Sequence, residues 1–233
     1  MLQLRYNSVV MRNYVFDLYN TLIDVETDEH REKTWLGVTE YFEGRGIKAT
    51  PSDLMREFDG YWAVFEAKKS EFDFPECDCV EQFMCMAERL GGRLTREEAR
   101  EALIMMRRAS VKHMRLFDGT VELLNELHSR GKRVYLLSNA QAAFTRAEIA
   151  EMGLNDKFDG ILLSSDCGCR KPDKRFFGML FDKYGLDKTE SVMIGDDLNS
   201  DGQGAAHFGI PFIHAAGGAA AHKDEILKLG DYE

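Results

Sequence analysis

The sequence predicts an α/β protein: a doubly wound, mainly parallel, Rossmann-like sheet core interrupted by an inserted all-helical domain. Three observations predict it. The apolar run Asn13–Leu18, rich in β-formers, reads as a buried strand near the start. After Ile23 the chain turns acidic and helical, with no strand signal, until about Met114. From Leu116 helix and strand patterns alternate to the end, which is the rhythm of a parallel sheet. The first strand needs partners, and only the later strands supply them. The core then comprises residues 1–24 and 115–233, and residues 25–114 form the insertion.

Each element has its own signal. Glu29–Phe42 sets Trp35, Val38, Tyr41 and Phe42 near one helix face, and Gly44-x-Gly46 ends it. Thr50-Pro51 opens a second helix with Leu54, Phe58, Trp62 and Phe65 at helical spacing. Pro75 precedes a third, carrying Val80, Phe83, Met84, Ala87 and Leu90, which stops at Gly91-Gly92. Thr95–Glu98 is a capping box, and the fourth helix runs through Leu103 and Met106 towards Met114. In the core, strands are expected at Arg133–Ser138, Gly160–Leu163, Ser191–Ile194 and Ile210–Ile213. Helices around Val121–Arg130, Ala143–Glu151, Asp173–Tyr184 and Ala205–Phe208 connect them, and Ala215–Ala221 reads as a loop.

Composition narrows the function classes. Hydrophobic residues make up 44% and charged residues 30% of 233, a globular balance with room for a sizeable core. The net charge of −10 argues against nucleic acid or an anionic membrane as partner. No stretch approaches the roughly 20 apolar residues of a spanning helix, and no signal-peptide pattern opens the chain, so the protein is read as cytoplasmic. The five cysteines (Cys77, Cys79, Cys85, Cys167 and Cys169) lack paired zinc-ligand spacing and read as free thiols. The six histidines form no ligand pattern.

Four polar stations stand at or just after apolar strands, where ligands meet open parallel sheets. They are Asp17; Ser138-Asn139; Arg170-Lys171-Pro172-Asp173; and Gly195-Asp196-Asp197-Leu198-Asn199-Ser200-Asp201. Each alone is ordinary turn or cap chemistry. Three aspartates within six residues, however, repel one another unless a cation or a cationic side chain neutralises them. Carboxylate, hydroxyl, lysine and acidic cluster, in that order, resemble motifs I to IV of the haloacid dehalogenase-like (HAD) hydrolases. The likeness covers Asn13–Ile23 and Leu116–Gly217, and the helical block sits where many members insert a cap. A dinucleotide-binding domain fails as competitor, because no Gly-x-Gly-x-x-Gly follows the first strand.

The resemblance implies a hydrolase, with Asp17 as nucleophile forming an aspartyl-phosphate on a small phosphorylated substrate. It implies Mg2+ held by Asp17, the backbone carbonyl of Tyr19 and Asp196, with Asp197 and Asp201 behind them. Ser138 would donate a hydrogen bond to a phosphoryl oxygen, Lys171 would neutralise charge on the phosphoryl group and on Asp17, and Thr21 and Asn139 would help to bind the substrate. The helical block would close over the site. One position departs from the pattern: Tyr19 stands where the family's phosphatases carry a second aspartate as general acid–base. Asp-x-Tyr resembles the 2-haloacid dehalogenases, whose leaving halide needs neither proton nor metal. Arg56 is then a conceivable partner for a substrate carboxylate. A non-catalytic protein that binds a phosphorylated ligand is the third possibility. The acidic run Asp196–Asp201 favours a metal, and with it the phosphatase.

Overall fold

Five short apolar runs pair into one parallel sheet in the computed structural model, which describes residues 10–229. In chain order the elements begin with β1 (Asn13–Phe16), β2 (Ile23–Thr27), α1 (Glu32–Glu43), α2 (Pro51–Glu66), α3 (Cys79–Arg89) and α4 (Arg96–Ser110). There follow β3 (Val111–Leu116), α5 (Thr120–Ser129), β4 (Arg133–Ser138), α6 (Ala142–Glu151), β5 (Gly160–Leu163) and the single turn α7 (Ser164–Cys167). The chain continues with α8 (Lys174–Tyr184), β6 (Ser191–Gly195), α9 (Gln203–Phe208), β7 (Phe212–His214) and α10 (Lys223–Lys228). Residues 1–9 and 230–233 of the expected core lie outside the described residues.

The strand order is β5-β4-β1-β6-β7, with every neighbour parallel. The chain leaves β1, builds β4 and β5 on one side, and then returns to build β6 and β7 on the other. β1 is therefore the switch point, and a crevice opens beyond the carboxyl ends of β1, β4 and β6. All four residues of β1 are buried, as a central strand covered on both faces requires. Phe16 packs with Leu123, Leu127 and Ile149 on one side of the sheet, and Val15 packs with Phe176, Phe177 and Leu180 on the other.

Helices α1–α4 enclose a separate core in which Trp35 stacks on Phe83 at 6.1 Å and meets the edge of Phe58 at 5.3 Å. Capping boxes at Thr50/Asp53 and Thr95/Glu98 start α2 and α4. The expectation of a purely helical insertion fails at its two ends. The fourth helix stops at Ser110, and Val111–Leu116 pairs antiparallel with Ile23–Thr27. Opposite charges across the ribbon favour this pairing: Arg115 donates to Asp24 at 3.0 Å and Lys112 to Glu26 at 2.9 Å. The apolar alternation is short, Ile23 and Val25 in one strand facing Leu116 and Met114 in the other, and it lies at the edges of a long helical block.

The chain between α2 and α3 crosses to the core. Glu76 N–H donates to the Gly168 carbonyl and Arg170 N–H to the Phe74 carbonyl, each at 2.9 Å, on either side of a Pro75–Cys169 bridge. Asp73 N–H donates to the Asp173 carboxylate at 3.2 Å, and Arg175 donates to the Glu71 carbonyl. Gln141, at the start of α6, donates to Glu76 at 3.0 Å and to the Cys77 carbonyl at 2.7 Å. This strap ties the helical cap to the segment that carries Lys171. All five cysteines are free thiols.

Burial pushes the Glu76 carboxyl above its ordinary value of 4.5. The folded chain then holds that proton more tightly than the unfolded chain does. Stability from this group is greatest below 4.5 and falls as pH rises through the folded value. Glu76→Gln keeps an acceptor for Gln141 and removes the slope. The variant is expected to melt above the parent at pH 7 and to match it at pH 4, as thermal unfolding at the two pH values will test.

Candidate active site

The crevice collects side chains from three strand ends and one loop. Asp17 continues β1, its N–H bonded to the Ile194 carbonyl at 2.9 Å. Ser138 ends β4 and donates its hydroxyl to Asp17 Oδ1 at 3.0 Å. Lys171 reaches in from the loop before α8 and is 2% exposed. Its Nζ donates to Asp17 Oδ1 at 2.5 Å and to the Leu137 carbonyl at 2.8 Å, and it lies 2.6 Å from Asp201 Oδ1. The first two are hydrogen bonds, and the third is an ion pair. Burial acts to discharge this lysine, but the Asp17 and Asp201 carboxylates outweigh it and hold its pKa above the ordinary value. Both side-chain bonds to Asp17 fall on Oδ1, so Oδ2 is left without a side-chain donor.

Thr21 and Asn139 orient these groups. Asn139 accepts from Lys171 N–H at 2.7 Å and donates to the Lys171 carbonyl at 3.0 Å, which clamps the lysine's backbone. Thr21 donates to Asp196 Oδ1 at 3.0 Å and sets that carboxylate at the end of β6. Asn20, between Asp17 and Thr21, takes a left-handed φ of 60°, a conformation that asparagine tolerates in a tight turn. Gly195 must be glycine, because a Cβ there would stand 2.1 Å from Asp201 Oδ2. Asp197, expected behind the metal ligands, is exposed, and its carboxylate accepts Asn199 N–H at 2.8 Å. A short polar side chain one residue before a helical turn finds its nearest donors in the turn itself.

One carboxylate oxygen from each of Asp17, Asp196 and Asp201 lies within 4.8 Å of the others. Three negative charges face one ammonium there. Burial and then the Asp17 charge raise the Asp196 carboxyl above its ordinary value. Burial likewise pushes Asp201 up to about 6, against the pull of Lys171. A cluster of hard oxygen donors with excess negative charge fits a small divalent cation such as Mg2+. The cleft beside it has a volume of about 210 Å3.

Tyr19 belongs to a different constellation. Its hydroxyl donates to Glu148 and lies 2.9 Å from the Thr145 hydroxyl, both on α6. Arg107, from the cap helix α4, grips Glu148 with two bonds of 2.7 and 3.1 Å. The guanidinium also lies over the rings of Tyr19 and Phe144, at 5.2 and 4.9 Å. Burial, followed by the Glu148 charge, raises the phenol's pKa above its usual 10.0. The residue types alone gave no hint of Arg107, Thr145 or Glu148. The nearest signal is the spacing of Thr145 and Glu148, which puts two polar groups on one buried helix face.

The cleft at the carboxylates is lined by core residues, with none from 25–114 among the described ones. The cap therefore stands beside this site through the strap and the Arg107–Glu148 contact. A larger cleft, of about 590 Å3, lies farther along the cap–core junction, where Arg96–Asp78 and Arg146–Asp166 pair at 2.6 Å each. Its charges are matched and it holds none of the carboxylate cluster, so the smaller cleft is the better candidate for chemistry. Arg56 is exposed and paired with Asp53 at 2.9 Å. Tyr61 is buried in the cap, whereas Trp62 is 45% exposed.

Comparison with known proteins gives the geometry its relatives. Residues 11–209 match the haloacid dehalogenase-like hydrolase family. A phosphoserine phosphatase of Thermus thermophilus is 30% identical over 119 residues, 50% of this chain and 48% of that protein. The chain thus spans about half the length of the first curated relatives it matches. An N-acylneuraminate-9-phosphatase of Mus musculus is 26% identical over 207 residues, covering 86% of this chain and 80% of its own. Among solved structures, the magnesium-bound HAD-hydrolase YfnB of Bacillus subtilis superposes with a TM-score of 0.51 at 21% identity, over 87% of each chain. That likeness concerns the fold. Among the described residues no helix is long and apolar enough to cross a membrane.

Proposed function

Because the chain belongs to the haloacid dehalogenase-like hydrolase family, we propose that it is a Mg2+-dependent phosphatase that acts on a small phosphorylated metabolite of the cytoplasm. The observation that carries this reading is the convergence of Asp17, Asp196 and Asp201 beside a buried lysine. Asp17 is the nucleophile. Ser138 and Lys171 pin its Oδ1, which leaves Oδ2 to attack phosphorus and form an aspartyl-phosphate. Lys171 neutralises negative charge on both Asp17 and the incoming phosphoryl group. Asp17, Asp196 and the Tyr19 carbonyl would hold Mg2+, which offsets the repulsion between a carboxylate and a phosphate ester. Asp201 holds Lys171 in place, and Asn139 fixes the loop on which that lysine stands.

Tyr19 favours a second reading, dehalogenation through an ester at Asp17, because a halide departs without a proton. The two readings separate in one assay of p-nitrophenyl phosphate against 2-chloropropionate, each with Mg2+ and with EDTA. Phosphate release that needs Mg2+ and is lost in Asp17→Asn is the expected result. Halide release that persists in EDTA would replace the first reading with the second. Silence on both substrates would leave a protein that binds a phosphorylated ligand without turning it over.

A further inference from the structure

The unusual residue of the site bears on which substrates it serves. In a phosphomonoester of an alkyl alcohol, the departing oxygen is strongly basic and needs a proton as the phosphorus–oxygen bond breaks. The hydroxyl and ammonium groups beside Asp17 are committed to other partners, Asp196 accepts from Thr21 within the metal-binding set, and Asp201 is paired with Lys171. The Tyr19 hydroxyl has a single proton, and it is donated to Glu148. That carboxylate is held as an acceptor by both arms of Arg107. The Ser138 hydroxyl donates to Asp17, and the Lys171 ammonium donates to Asp17 and the Leu137 carbonyl and pairs with Asp201. Asp197, at the lip, accepts a backbone N–H and is otherwise solvated.

We propose that the site serves phosphoryl compounds whose leaving group departs as a stable anion: acyl phosphates, phosphoanhydrides and aryl phosphates, in preference to alkyl phosphomonoesters. This rests on the phosphatase reading and narrows its substrate class. In the first step the Asp17 carboxylate forms an oxygen–phosphorus bond. The bond from phosphorus to the leaving oxygen breaks, and its electron pair departs on a carboxylate, phosphate or phenolate that takes no proton from the protein. In the second step water adds to phosphorus, the Asp17 oxygen leaves as carboxylate, and the released proton passes through phosphate to solvent. The second step is common to all substrates, so the preference is read in kcat/KM, which reports the first, and kcat is expected to level among the reactive substrates.

The test uses the full chain with saturating Mg2+. Acetyl phosphate, p-nitrophenyl phosphate, phenyl phosphate and glycerol 3-phosphate form a series of rising leaving-group basicity. A positioned acid is worth about 10²–10⁴-fold, so kcat/KM is expected to fall by at least about 10²-fold from acetyl phosphate to glycerol 3-phosphate. A spread smaller than about 10²-fold, the lower bound for a missing acid, would overturn this inference and leave the phosphatase reading standing. No phosphate from any member of the series would overturn that reading, and this one with it.

Discussion

Lys171→Met is expected to destabilise the fold by about 3–5 kcal/mol and to lower phosphate release by at least about 10²-fold. The lysine is the one ammonium placed between Asp17 and Asp201, and its side chain and that of Asp201 are each 1% exposed. Methionine fills much of the same volume, so the loss is electrostatic rather than a cavity. Two carboxylates would then face each other in a site closed to water on most sides, where an unpaired charge is costly. Urea unfolding measures the effect as a lower midpoint at unchanged slope. Adding Asp201→Asn to Lys171→Met removes one stranded charge and should return part of the stability. It should return none of the activity, because the group that neutralises Asp17 and the phosphoryl group is still missing. Equal stability of the single variant and the parent would show that Lys171 carries no net electrostatic weight in the fold.

The sequence discloses a residue when its partners are set by the chain's own rhythm. Asp17, Ser138 and Asp196 each stand at the end of a buried strand, and a parallel sheet brings strand ends together whatever the loops do. Lys171 was legible by its order among them. The roles of Thr21 and Asn139 were not: their bonds run to Asp196 and Lys171, 175 and 32 residues away, and depend on the facing of single side chains. The β2–β3 ribbon was missed for a related reason. Its strands pair across the whole insertion, and each is short, with only two or three apolar residues on the face that packs on the core. The contact of the cap with the core lay deepest. Tyr19 comes from the turn after β1, Arg107 from α4 and Glu148 from α6, and Arg107 reads in sequence as one of many solvated arginines on an amphipathic helix.

That contact leads to an asymmetric pair of variants. Arg107→Met is expected to cost about 3 kcal/mol, because it strands a buried carboxylate, and Glu148→Gln is expected to cost clearly less. In the pair, the Arg107 and Glu148 side chains are 12% and 9% exposed. Without Arg107, the Glu148 charge keeps the Tyr19 hydroxyl, and the cap loses its buried ion pair to α6. Without Glu148, the guanidinium still lies over Tyr19 and Phe144, and its long stem can carry the charge towards solvent. Glutamine also keeps an acceptor for Tyr19. The double variant closes the cycle: contacting charges couple by about 0.5–3 kcal/mol, so Arg107→Met should lose most of its cost when Glu148 is already glutamine. Urea midpoints of the four proteins decide it. Equal costs for the two single variants, or strict additivity in the double, would mean that the cap is held by the strap and the cap's own packing rather than by this ion pair.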